Sequence, residues 1–153
     1  MGKQRVSRLH QREGAEVMAR VLVVEDDLAI RQMLTYALEL EGYAVSTLAD
    51  GSLVAQMLRE ATERVVVLLD LMMPYVTGWE VCEQLAAEPA LAARHAVVIM
   101  SAAITPGERF PDVVRAALLK PFTLTTALAL VETLSLEPAT PSASQAGELA
   151  AHP

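Results

Sequence analysis

Residues 65–70 read Val-Val-Val-Leu-Leu-Asp, five consecutive apolar residues closed by a carboxylate. A strand with one wet face alternates apolar and polar side chains. A run without alternation fits a strand covered on both faces, as in a parallel sheet between helical layers. The same signature recurs on either side: Val21–Val24 precedes Glu25-Asp26-Asp27, Ala96–Met100 precedes Ser101, and Ala116–Leu119 precedes Lys120. Tyr43 to Thr47 supplies one more strand, second in chain order. Helical patterns fill the intervals. From Leu28 to Leu40, Ile30, Met33, Leu34, Ala37 and Leu38 recur at helical spacing, with Gly42 just past the end. Asp50 reads as the cap of a helix to about Ala61. Thr77-Gly78-Trp79-Glu80 is a capping box opening a helix to about Ala87. Thr105-Pro106-Gly107-Glu108 has the same form, with proline at the first helical position. Thr123 caps a last helix to about Leu136. Five strands alternating with five helices predict an open α/β fold.

The chain's 153 residues suit one domain, and 53% apolar with 20% charged residues describes a globular chain. Mean hydropathy is positive, +0.34, yet the longest stretch free of charged residues, His95 to Gly107, is only thirteen residues long. A membrane-spanning helix needs about twenty. Residues 1–19 contain no apolar core of a secretory signal. The single cysteine, Cys82, excludes an internal disulfide and a multi-thiolate zinc site, so a reduced, cytoplasmic setting is expected. The net charge of −7 divides into +3 over residues 1–20 and −10 over the rest. An acidic body argues against direct nucleic-acid binding, which needs a concentrated basic face.

In open α/β sheets, ligands bind at the carboxyl ends of the strands, where strand order reverses. Those ends carry Glu25, Asp26 and Asp27, then Asp70, Ser101 and Lys120. Taken singly, an acid at a strand end is more often a helix cap, as Asp27 is expected to be, and a Ser or Lys there is usually solvated. The conjunction carries the signal. Three carboxylates brought together repel one another unless a cation sits among them, and hard oxygen donors suit Mg²⁺. A lysine opposite adds a second positive charge for an incoming phosphoryl group, and a serine hydroxyl can hydrogen-bond another of its oxygens. Asp70, in the middle, is then placed as the nucleophile of a phosphoryl transfer.

Val-Val-Glu-Asp-Asp (23–27), Leu-Leu-Asp-Leu-Met-Met-Pro (68–74) with Gly78, Val-Ile-Met-Ser-Ala (98–102) and Leu-Lys-Pro-Phe (119–122) together resemble the receiver domain of two-component response regulators. The resemblance runs from about Arg20 to Leu136. It implies a doubly wound, flavodoxin-like (βα)5 fold with strand order 2-1-3-4-5. The expected organisation is a flexible basic leader over 1–19, the receiver over 20–136 and a disordered tail over 137–153. By the same resemblance Asp70 is the phosphoacceptor, and Asp26 and Asp70 ligate Mg²⁺ directly. Glu25 acts through a water, and the Met72 carbonyl completes the protein ligands. Ser101 is the switch hydroxyl, Ala102 leaves access to the site, and Lys120 pairs with the phosphoryl oxygens. Pro121 implies a cis peptide after Lys120. Arg31, five residues after Asp26, fits the family register. The implied partners are a sensor histidine kinase or histidine phosphotransfer protein and an unnamed downstream protein. A homodimer is left open, and no nucleic acid or membrane is expected. The domain would not be a turnover enzyme, and its output would come from another molecule.

Four departures stand beside these matches, the first an interval of nineteen positions from Ser101 to Lys120, a few fewer than is common in the family. Ala117 occupies the position where the family usually has an aromatic, and Tyr75 a position that often holds glycine. Pro106, Gly107 and Pro111 fall inside the fourth helix, which is therefore expected to be short or displaced. Ala117 and the irregular fourth helix motivate the alternative of a phosphorylation-independent adaptor. A phosphatase of dehalogenase type is disfavoured because Met72 stands where its second acid would be. Trp79 and Cys82 read as packing residues. His10, His95 and His152 share no ligand spacing, and no glycine-rich nucleotide loop is present.

Overall fold

The computed structural model describes residues 19–138, and the expected leader and tail lie outside the described residues apart from Ala19, Glu137 and Pro138. Five strands, β1 (Arg20–Val24), β2 (Val45–Leu48), β3 (Val65–Asp70), β4 (Ala96–Ser101) and β5 (Val114–Leu119), form one sheet in the order β2-β1-β3-β4-β5. Every pairing is parallel. The helices are α1 (Leu28–Leu40), α2 (Val54–Glu60), α3 (Gly78–Ala86), α4 (Pro89–Arg94) and α5 (Leu124–Leu136). The predicted architecture and strand order are observed.

Burial explains the central run. All six residues of β3 are buried, because strands flank it on both edges and helices cover both faces. Val67 and Leu69 join Val54, Leu58, Val81, Cys82 and Leu85 in a core layer under α2, α3 and α4. Val66 and Leu68 face the opposite layer with Leu34, Leu38, Val131 and Leu134 of α1 and α5. Strand order reverses between β1 and β3, which opens a crevice above their carboxyl ends.

The caps behave as the sequence predicts at three helices. Asp27 accepts from the Ile30 N–H to start α1, Thr77 and Glu80 form both halves of a capping box on α3, and Thr123 accepts from Thr126. At the end of α1, Gly42 and Tyr43 donate to the Glu39 and Leu38 carbonyls, the paired bonds of a Schellman turn.

Three expectations are corrected. Asp50 does not cap α2: it accepts from Ser52 in a local turn, and the helix begins at Val54. The short α4, with Leu91 its only buried residue, was not foreseen. No helix joins β4 to β5. Thr105 N–H bonds the Glu108 carboxylate and Glu108 N–H bonds the Thr105 carbonyl, so the cap signals make a single turn. Gly107 ends it at φ +85°, a backbone conformation outside any helix, and Pro111 has no N–H to continue it. Phe110 and Val113 cover the sheet where a helix would have lain.

The lower end of the sheet is held by polar bonds. His95, 2% exposed, accepts from the Val65 N–H at Nδ1 (3.0 Å), and its Nε2 lies 3.0 Å from the Leu58 carbonyl. Because the backbone N–H can only donate, Nδ1 is unprotonated and Nε2 carries the hydrogen. Arg64 donates to the carbonyls of Leu134 and Arg94, and Glu137 pairs with Arg115 at 3.0 Å, tying down the end of α5.

Candidate functional site

Pairing register carries the polar strand ends to one place. Val24 lies beside Leu69 and Asp70 beside Met100, so Glu25, Asp70 and Ser101 emerge together at the top of three adjacent strands. One carboxylate oxygen each from Glu25, Asp26 and Asp70 lie within 4.8 Å of one another. Glu25 and Asp70 are only 1% and 3% exposed, while Asp26 faces solvent. Lys120, from the end of β5, places Nζ 2.8 Å from Glu25 Oε2 and 3.5 Å from Asp70 Oδ2. The peptide linking it to Pro121 is cis, as the sequence suggested.

With all three carboxylates ionised, one ammonium leaves the cluster two charges negative. Burial pushes the Glu25 carboxyl up to about 7, with Asp70 adding to the rise and the bond from Lys120 opposing it. Burial also works against the Lys120 charge, but the bond to Glu25 and the field of Asp70 outweigh it and raise its pKa above the ordinary lysine value. An all-oxygen donor set with surplus negative charge, partly open to water at Asp26, fits a small hard divalent cation.

The surrounding backbone holds these groups in register. The Arg31 guanidinium donates to the Glu25 carbonyl at 2.6 Å and reaches the Asp26 carbonyl at 3.4 Å, bracing the loop after β1. The Met72 N–H donates to Asp70 Oδ1, while the Met72 side chain is 74% exposed. Gly78 passes directly over the Asp70 peptide: a Cβ there would lie 2.5 Å from the Asp70 carbonyl oxygen and 2.7 Å from the Leu71 Cα. Its N–H closes the loop onto the Leu71 carbonyl. Tyr75 adopts φ +66° with its side chain 91% exposed, so the residue standing where glycine is frequent takes a glycine-like backbone.

Ser101 is buried, but its hydroxyl is turned into its own loop. It donates to the Ala103 carbonyl at 2.7 Å and accepts from the Ala103 N–H at 3.2 Å. Ala102, beside it, is exposed. Ala117 lies exposed on β5 and brings no ring to the site. An aromatic contact that sequence reasoning missed lies nearby: Trp79 and Phe110 stack with centroids 4.9 Å apart and planes 11° from parallel. Only the tertiary fold brings these residues together.

Comparison with known proteins agrees with this geometry. The family described as "Response regulator receiver domain" matches residues 21–132. The DNA-binding response regulator MtrA of Mycolicibacterium smegmatis is 42% identical over 69 residues, covering 45% of this chain and 30% of the relative. RpaA of Synechocystis, a DNA-binding dual master transcriptional regulator, is 38% identical over 68 residues, covering 44% and 28%. The chain thus aligns with less than a third of the length of these relatives. Among solved structures, the chemotaxis protein CheY4 of Vibrio cholerae is 28% identical with TM-score 0.66, covering 76% of this chain and 98% of that one. TrrA of Thermotoga maritima, solved with Mg²⁺-BeF, is 24% identical with TM-score 0.65 over 76% and 99%, a likeness of fold. Matched over most of its described length, and with the acidic cluster at the strand ends where the fold binds ligands, the chain belongs to the receiver-domain family of two-component response regulators.

Proposed function

We propose that this receiver is phosphorylated on Asp70 by a phosphohistidine of a sensor kinase or phosphotransfer protein. An Asp70 carboxylate oxygen attacks phosphorus, the P–N bond breaks, and the imidazole leaves with the electron pair. Lys120, now shared between Glu25 and Asp70, turns its charge to the phosphoryl oxygens, and the Ser101 hydroxyl donates to another of them. The small Ala102 keeps the approach open. Mg²⁺, held by Asp26, Asp70, the Met72 carbonyl and, through water, Glu25, would neutralise the charge that these acids and the phosphoryl group bring together. The observation that carries this reading is Lys120 bonded into the three-carboxylate cluster.

Receivers of this family work by phosphorylation-dependent signalling rather than substrate turnover, and this one is read as acting in the cytoplasm through protein contacts. None of the helices among the described residues is long and apolar enough to cross a membrane. The expectation of no nucleic-acid contact is confined to the acidic receiver. It does not extend to a longer regulator of the MtrA kind, named as DNA-binding. The test is intact mass after incubation with acetyl phosphate and Mg²⁺. One added phosphoryl mass, absent from Asp70→Asn, is expected; no adduct, or an equal adduct on the variant, refutes the assignment. The second reading, a phosphorylation-independent adaptor, is favoured by Ala117 and by the missing helix between β4 and β5.

A further inference from the structure

The connection between β4 and β5 has one end in the site and the other on an aromatic ring. At its start, two bonds between Ser101 Oγ and the Ala103 peptide fix the first turn. Near its end Phe110 stacks on Trp79, and both rings pack against the core layer under α2 and α3. Trp79 in turn follows Gly78, which runs so close to the peptide of Asp70 that a Cβ there would clash with it. Both partners of the stack are therefore joined through short lengths of backbone to groups that touch the phosphoryl position. No helix lies between them to absorb a displacement, and Ala117 offers no ring to take up the space.

We propose that the Trp79–Phe110 stack is the conformational read-out of this receiver, closed in the unphosphorylated state and opened when Ser101 turns to the phosphoryl group. This rests on the function proposed above. For Ser101 to donate to a phosphoryl oxygen on Asp70, its proton must leave the Ala103 carbonyl, and the turn that the pair of bonds holds is released. The released connection carries Phe110 with it. Trp79 stays with α3, because the Thr77–Glu80 capping box and the Gly78 contact hold that first turn to the sheet. Separation of the rings exposes an indole face and the apolar surface beneath it only in the phosphorylated form.

Trp79 is the sole tryptophan of the chain, so its emission reports the stack directly. The full chain is titrated with Mg²⁺ and beryllofluoride, with binding followed independently by ¹⁹F NMR. Wild type should show a bound fluoride resonance and a shift of Trp79 emission to longer wavelength. Phe110→Leu should bind the same probe with emission already shifted beforehand and little further change, and Phe110→Tyr should restore the wild-type response. Ser101→Ala, which lacks a donor to the bound fluoride and so needs more beryllofluoride to fill the site, should lose most of the emission change at saturation. Bound beryllofluoride with unmoved wild-type emission, or an equal shift in Ser101→Ala, overturns the coupling while leaving the phosphorylation site intact. No bound resonance at all overturns the site reading and this one with it.

Discussion

Acidification from pH 7 to pH 4 should remove about 3 kcal/mol of folding stability through His95 alone. Burial is the main cause that holds this imidazole down to about 4, against an ordinary value of 6.5, and Arg94 and Arg64 add to it. The geometry supplies a reason: Nδ1 accepts from the Val65 N–H, so a proton placed there would face another N–H and break the bond. The unfolded chain takes up a proton near 6.5 and the folded one only near 4. Between those values the unfolded state binds more protons, so stability is lost as pH falls. At about 1.4 kcal/mol per unit, a window of roughly two and a half units yields the stated loss, a large share of a domain's usual 5–15 kcal/mol. Glu25, raised to about 7, acts in the opposite sense, stabilising the fold as pH falls through 7. The two are separated by difference. Urea midpoints between pH 4 and 8 are compared for wild type and His95→Gln, whose amide can accept from Val65 and donate to Leu58 without titrating. Glu25 lies at the opposite end of the sheet and cancels between the two proteins. The variant should be about 1–2 kcal/mol less stable at pH 7, from imperfect replacement of two buried bonds. The gap should close as pH falls, cross zero between about pH 5 and 6, and stand reversed at pH 4. A gap that stays constant across the window refutes the neutral tautomer and the role given to burial.

Two further outcomes follow from the geometry. Gly78→Ala forces a Cβ against the peptide of Asp70 and should cost about 2 kcal/mol or more in chemical denaturation; a variant as stable as wild type would mean that the loop over the site yields freely. Cys82 is fully buried with its thiol pushed up to about 11 by burial, so a thiol reagent should modify it only at the rate of unfolding, and fast labelling of the native protein would contradict the packing of α3.

What the sequence makes legible depends on how local each cause is. β3 is readable because covering a strand on both faces requires an apolar side chain at every position, and Val65 to Leu69 meet that requirement without reference to distant residues. Thr77 and Glu80 announce α3 because a capping box is a bond pattern within four residues. The acidic cluster is legible for a different reason: parallel register maps the last residues of β1 and β3 to one level, so strand ends alone place Glu25 and Asp70 together. Thr105 to Glu108 mislead because a cap is only a beginning. Its bond forms, but Gly107 and Pro111 leave the turn with no helical body to start. α4 escapes notice because one buried leucine gives it no period. The bonds of His95 and the Trp79–Phe110 stack join residues far apart in the chain, and nothing local encodes either.

The position of Asp70 has an energetic reason. Two nearly inaccessible carboxylates, Glu25 and Asp70, share one lysine, and burying charge with incomplete compensation costs several kcal/mol. Such a group is tolerated where the surrounding apolar burial is greatest, and within this sheet that is β3, every residue of which is enclosed. On an edge strand such as β5, where alternate residues are exposed, the same acid would be solvated and would carry no surplus potential. The enclosure thus does two things at once. It stabilises the strand enough to carry an unfavourable charge, and it keeps that charge from water, so that the field at the strand ends is assembled in advance of any ligand. Lys120 holds the arrangement at a tolerable cost in the resting state. It reaches Asp70 less closely than Glu25, 3.5 Å against 2.8 Å, which leaves Asp70 as the less firmly engaged of the two acids.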